Sequence, residues 1–114
     1  MPSPKTGDVW LVRFPFTDLT TTKLRPAFVV ATHGEDVIVT GIFSRIPSNL
    51  RETWVLIDEQ HAGFNESGLK KSSVLKAEKI AVIHESVFQR KLGNLSSDLM
   101  ASSLEALKKA LLIT

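Results

Sequence analysis

The sequence predicts a mainly β chain with a C-terminal helix, an α+β fold, and three observations carry that expectation. Asp8 to Phe14 alternates as a strand does, with Trp10, Val12 and Phe14 on one face and Val9, Leu11 and Arg13 on the other. Three more runs rich in β-branched and aromatic residues follow, Ala27 to Thr32, Val37 to Phe43 and Thr53 to Ile57. Only Asp98 to Ile113 repeats its apolar residues at helical spacing.

Taken in order, the first strand is apolar on both faces, as in a small barrel or a dimerising sheet where both sides are covered. Thr17 to Leu24 reads as a polar loop, and Arg25 sits before Pro26, which holds it out of helical geometry as the next apolar run opens. His33-Gly34-Glu35-Asp36 is a tight-turn sequence, so the second and third strands form a hairpin. Asp58 to Gly68 is a polar loop with room for a short helical turn. Ser73 to Lys76 and Lys79 to Ile83 are expected as two short strands split by Ala77-Glu78, and His84 to Lys91 as a single helical turn. In the terminal helix Met100, Leu104, Leu107 and Leu111 share a face, Ser96 or Ser97 caps the start, and Lys108-Lys109 lie toward the end, where they suit the helix dipole.

The chain has 114 residues, 43% hydrophobic and 23% charged, which fits one domain over residues 1–114 with its own core. It contains no Cys, which excludes disulfides, cysteine zinc sites and thiol nucleophiles and agrees with a cytoplasmic location. Met1 to Lys5 is short and polar, and no apolar stretch approaches the roughly 20 residues that span a bilayer. The expectation is a protein without a membrane partner. A net charge of +2 is only mildly basic, but the lysines cluster: Lys70, Lys71, Lys76 and Lys79 lie between Gly68 and Lys79 against Glu78 alone. Arg13, Lys23, Arg25, Arg45 and Arg51 form a second, scattered set.

No HExxH, Walker, GxGxxG or GxSxG pattern occurs, and His33, His61 and His84 are too scattered to build a local metal site. Neither a metal nor a cofactor is expected. The histidines read as turn, loop and strand-end residues, and Trp10 reads as core, while Trp54 is open to a stacking or interface use.

The Gly7-Asp8-Val9 start, the aromatic-proline end of the first strand, the Thr17-Asp18 loop and Arg25-Pro26 resemble the PemK/MazF family of toxins from type II toxin-antitoxin systems. Val37 to Ser44, Gly68 to Val74 and Gly93-Asn94-Leu95 continue the resemblance in family order, over nearly the whole chain. The resemblance implies a small SH3-like, PemK-type β-barrel with a C-terminal helix. It also implies a homodimeric, metal-independent endoribonuclease, an mRNA interferase that cuts single-stranded RNA in the cytoplasm and is neutralised by a cognate antitoxin.

By position in the family, Arg25 is the catalytic arginine. A planar guanidinium binds two phosphate oxygens at once and suits the charge that develops when a ribose 2′-hydroxyl attacks the neighbouring phosphate. The competing role for Arg25 is structural, pairing with Asp18 or Asp8 to pin the loop. The family's second functional residue is a Thr at the end of the third strand; here Phe43 takes that place and Ser44, the next hydroxyl, is the second catalytic candidate. On a strand the neighbouring position points to the opposite face. Thr22, Lys23, Arg45, Lys70 and Lys71 are the RNA-backbone candidates. The Phe43 departure keeps two alternatives open: a non-catalytic protein of the same fold that binds and inhibits a protein target, as gyrase-poisoning toxins do, and an inactive toxin that still binds its antitoxin.

Overall fold

The computed structural model describes residues 3–15 and 22–113. Six strands form one antiparallel sheet: β1 (Asp8–Pro15), β2 (Thr22–His33), β3 (Asp36–Phe43), β4 (Trp54–Ile57), β5 (Ser73–His84) and β6 (Phe88–Asn94). Helix α1 (Phe64–Ser67) sits in the β4–β5 connection, and α2 (Ser97–Ala110) ends the fold. The strand order is β4-β5-β3-β2-β1-β6. The expected mainly β architecture with a C-terminal helix is therefore present, but β4 and β6 remain edges and the sheet is not closed. Register shifts in the β1–β6, β2–β3 and β3–β5 ladders bend it. Gly68 and Gly93 let the α1 segment and β6 pack backbone to backbone, because a Cβ on either would collide with a carbonyl oxygen, of Leu92 and Glu66 respectively.

One face of β1 is covered along its length, as its sequence predicts, and the other is covered at Val9 but opens at half-buried Leu11 and exposed Arg13. Trp10, Val12 and Phe14 pack with Ala27, Val29, Val37, Val39, Ile83 and Phe88 on one side. Val9 packs on the other side with Phe28, Ile42, Ile57 and Leu75, under α2 residues Leu99 and Ala106. Phe28, Ile42, Ile57 and Leu75 are fully buried, and each such side chain contributes about 1.5–3 kcal/mol by leaving water. Asp8 is buried because its carboxylate accepts from the Trp10 indole N–H at 2.9 Å and the Lys5 amide at 2.9 Å, with the Lys91 ammonium at 3.4 Å.

Four expectations are corrected. Strand β2 begins at Thr22, not Ala27, because Thr22, Lys23 and Leu24 continue the ladder opposite Pro15, Phe14 and Arg13; backbone pairing outweighs their polar character. β5 is one strand, with Gly41↔Lys76 and Thr40↔Ile80 as successive partners, so Ala77, Glu78 and Lys79 form a bulge whose Ala77 side chain is buried in the core and whose Ala77 amide bonds the Thr53 carbonyl at 2.9 Å. His84 to Lys91 holds only a 3-10 turn at Glu85–Val87 before β6 begins. Finally, α2 ends at Ala110, and its buried stripe is Leu99, Ser103 and Ala106, with Met100, Leu104 and Leu107 beside it and Leu111 half exposed.

The other local expectations hold. Ser96 stands at the N-cap position of α2, although its hydroxyl donates to the Asp98 carboxylate at 2.7 Å instead of accepting from a helix amide, and Gly34 takes a left-handed φ of 62° in the β2–β3 turn. His33 ends β2 beside that turn, His61 lies in the β4–β5 loop and His84 ends β5. His61 Nε2 meets Asp98 at 2.8 Å, where hydrogen bonds from Ser96 and His61 hold the Asp98 carboxyl below the usual carboxylate range. His84 Nε2 meets Glu35 at 2.8 Å. The described helices include none long and apolar enough to cross a membrane. The Thr17-Asp18 loop lies outside the described residues.

Candidate functional site

The ladder register decides which side chains share the surface around Arg25. Trp54 pairs with Lys76, Lys76 with Gly41, and Gly41 with Ala27, so these four residues form one row across β4, β5, β3 and β2. Two residues along, on the same face, stand Arg25 of β2 and Phe43 of β3. Gly41 leaves the space into which Phe43 leans: a Cβ at position 41 would lie 2.8 Å from two atoms of the Phe43 ring. The edge of Phe14 supports that ring, with centroids 6.2 Å apart.

Cations and aromatic rings alternate along this surface. Arg25 lies 4.9 Å from the Phe43 centroid, and Lys76 Nζ lies 4.9 Å from the same ring and 4.6 Å from Trp54. The Arg51 guanidinium lies 4.9 Å from Trp54 in turn. Cation–π contacts of this kind contribute about 0.5–2 kcal/mol each, more as water is excluded. Beneath Trp54 the bulge presents Glu78, which accepts from the Trp54 indole N–H at 2.7 Å, the Thr53 hydroxyl at 2.8 Å and Arg51 at 3.0 Å. Burial pushes the Glu78 carboxyl up, but these donors, with a backbone N–H, together hold it below the usual glutamate range.

The row opens into a pocket of about 490 Å³. Among the described residues, Lys23, Arg25, Arg45 and Lys76 supply its charge, and Phe43, Trp54, Ser44 and Pro47 line it beside them, with no carboxylate in this described lining. Burial is the main reason the Lys76 ammonium loses its proton more readily than an ordinary lysine; Lys79, Arg51 and Arg25 act in the same direction and Glu78 opposes them. Such a surface suits an anion with a flat, apolar attachment, as a nucleotide has.

Lys23, Arg25, Ser44 and Arg45 are thus brought together. Lys70 and Lys71 are not: they line a neighbouring pocket of about 280 Å³ with Leu11, Pro26, Arg90 and Leu92, and Ser44 borders both openings. Thr22 is exposed at the start of β2, opposite Pro15. Asp8, one of the two acids weighed as a partner of Arg25, is engaged by Lys5, Trp10 and Lys91; Asp18 lies outside the described residues. Sequence reasoning gave no site role to Lys76, and it read Phe43 only as a missing hydroxyl. The signal for Lys76 was its place in the lysine-rich run, but its direction depends on pairing with Gly41, which no local pattern carries. Among the described residues, no group of three or more His, Cys, Asp or Glu side chains is positioned to hold a metal ion.

The model of the PemK-like, MazF-like toxins of type II toxin-antitoxin systems matches residues 5–111. The chain belongs to this family. No curated protein matches the sequence. Among solved structures, a MazF from Deinococcus radiodurans superposes with a TM-score of 0.78 at 18% identity, covering 99% of this chain and 100% of that one. A mycobacterial endoribonuclease bound to its cognate antitoxin gives 0.77 at 18% identity, covering 98% of each chain. A Mycobacterium tuberculosis MazF toxin gives 0.71 at 20% identity, covering 94% of this chain and 98% of that one. At these identities the likeness establishes the fold that this toxin family shares.

Proposed function

We propose that this toxin is an endoribonuclease that cuts single-stranded RNA without a metal ion, by attack of a ribose 2′-hydroxyl on the adjacent phosphate. The observation that carries the reading is the cationic pocket in which Arg25, Lys23, Arg45 and Lys76 meet around Phe43 and Trp54. A phosphodiester entering it exchanges water for fixed donors, and the aromatic faces offer stacking to the flanking bases. Naming of similarly folded proteins as endoribonucleases adds support.

Arg25 is assigned to the non-bridging phosphoryl oxygens. Their charge grows in the transition state, and losing one preorganised donor of this type costs about 3–4 kcal/mol of barrier. The guanidinium is half-buried and backed by Phe43, so its orientation is set before substrate arrives. Lys23 and Arg45, both exposed at the pocket, hold the backbone on either side. Ser44 offers a hydroxyl to the ribose or phosphate, and Lys70 and Lys71 extend the track into the neighbouring pocket. Thr22 contacts the backbone at the β2 end.

A homodimer with RNA running between subunits, a cognate antitoxin that occludes that groove, and a cytoplasmic location complete the reading. Complexes of similarly folded MazF proteins with MazE support the antitoxin. The test is incubation of the purified protein with a long single-stranded RNA in EDTA, followed by mapping of cut sites and end groups. Discrete cuts leaving 2′,3′-cyclic phosphate and 5′-hydroxyl ends are expected. A folded protein that leaves the RNA intact overturns the reading in favour of a protein-binding or inactive toxin.

A further inference from the structure

We infer that Lys76 is the catalytic acid of this ribonuclease, donating a proton to the 5′-oxygen as it leaves phosphorus; the inference rests on the RNA-cutting reading of the pocket. The reaction needs two different services from the protein. One is neutralisation of the phosphoryl oxygens, which a permanently charged guanidinium performs well. The other is delivery of a proton to the departing alkoxide, which a guanidinium performs poorly because its delocalised charge holds the proton too tightly.

Among the described groups that line the pocket, Lys76 alone combines a transferable proton with a fixed, half-buried position. Its stem rises from the Gly41-paired position of β5, and its ammonium is held between the Phe43 and Trp54 rings at 4.9 and 4.6 Å. Arg25 flanks the same Phe43 ring, so charge stabiliser and acid are spaced by one aromatic side chain. Lys23 and Arg45 are exposed, and Ser44, a weak acid, is exposed past the end of β3.

The surroundings tune the proton in the needed direction. Arg25 and Lys23 face the site from β2, Arg45 from the segment after β3, Arg51 from the approach to β4, and Lys79 and Glu78 from the β5 bulge. Glu78 is the sole carboxylate of this group, and it is engaged by Trp54, Thr53 and Arg51. Burial and the neighbouring cations therefore prevail, and the Lys76 ammonium is a stronger acid than a solvated lysine.

The step balances as a transesterification. The O2′–P bond forms as the 2′-hydroxyl proton passes to solvent, and the P–O5′ bond breaks with its electron pair on O5′. O5′ takes a proton from Lys76 Nζ, leaving a 2′,3′-cyclic phosphate and a 5′-hydroxyl, and solvent reprotonates the amine.

The test is single-turnover cleavage in EDTA of an RNA oligonucleotide whose scissile 5′-oxygen is retained or replaced by sulfur, since a thiolate leaves without a proton. Wild type is expected to cut both. Lys76→Met, which keeps the stem between the rings, and Lys76→Arg, which keeps the charge, are each expected to slow the oxygen substrate by about 10²-fold or more. Both variants are expected to cut the sulfur substrate within about threefold of wild type, on the same premise that only the acid is lost. Equal slowing on both substrates, or wild-type rates on the oxygen substrate, overturns the assignment and leaves the ribonuclease reading standing. Failure of wild type to cut either substrate overturns both.

Discussion

The Arg25 guanidinium lies 4.9 Å from the centroid of the Phe43 ring, so the residue standing where a hydroxyl is expected serves as a platform for the central cation. Lys76 uses the same ring at 4.9 Å. Phe43 is therefore an organising element of the pocket, filling the space over Gly41 and holding two like charges near one another. Phe43→Thr is expected to lower stability by about 2 kcal/mol or more, because a partly buried ring and two cation–π contacts are lost. In RNA assays it lowers cleavage. Denaturant melts with parallel RNA digests check this, and increased cleavage would identify Phe43 as a lesion in a decayed toxin.

Gly41→Ala tests the same packing from below. The added Cβ would meet Phe43 at 2.8 Å and Phe14 at 3.2 Å, so the ring must shift, at about 1–3 kcal/mol. Phe43→Leu in the same chain makes room. The double mutant is expected to be more stable than the sum of the singles by about 0.5 kcal/mol or more, as contacting residues couple; strict additivity in urea melts would contradict the packing described.

Glu78→Gln removes the charge that anchors Trp54, Thr53 and Arg51. A loss of about 1–3 kcal/mol is expected, whereas Arg51→Ala, an exposed partner, costs less than about 1 kcal/mol. The folded-state pKa of Glu78 is depressed, so its contribution is present above the unfolded pKa and is lost as pH falls through the folded one. The stability difference between wild type and Glu78→Gln should therefore shrink in acid, read from denaturant midpoints at a series of pH values.

Lys76 carries the opposite sign. Its folded-state pKa is lowered, so the protonated side chain opposes folding, and that cost is relieved as pH rises from the folded pKa toward the unfolded one. The stability of wild type relative to Lys76→Met is accordingly expected to rise with pH through that range, read from denaturant midpoints at a series of pH values.

Much of this arrangement was legible in the sequence. The alternation of Trp10, Val12 and Phe14 is local, and that face of β1 is buried as it predicts, while on the other face Val9 is buried, Leu11 half-buried and Arg13 exposed. Lys23, Arg25, Ser44 and Arg45 do meet at one pocket. β6 was not legible, because Gln89, Arg90 and Lys91 leave only Phe88 and Leu92 as apolar marks on an edge strand. The continuity of β5 depends on its partner β3 across a bulge at Ala77 to Lys79. Lys76 was missed for the same reason: its direction is set by the paired register of four strands, β4, β5, β3 and β2, while Lys70 and Lys71, in the same lysine-rich run, turn to another pocket.

Gly68 and Gly93 carry the docking of α1 on β6. Gly68 has φ of 73°, and a Cβ on either residue would strike backbone. Gly68→Ala and Gly93→Ala are each expected to cost about 3 kcal/mol or more. Wild-type midpoints in urea for both variants would contradict the close approach.

The central claim is that Arg25 stabilises the transition state of RNA cleavage in this pocket. Its most direct measurement is the single-turnover rate of Arg25→Ala against wild type on one single-stranded RNA in EDTA, with melting temperatures recorded in parallel. A rate lower by about 10²–10³-fold, in a variant still folded at the assay temperature, is the predicted result. Undiminished cleavage by Arg25→Ala would contradict it.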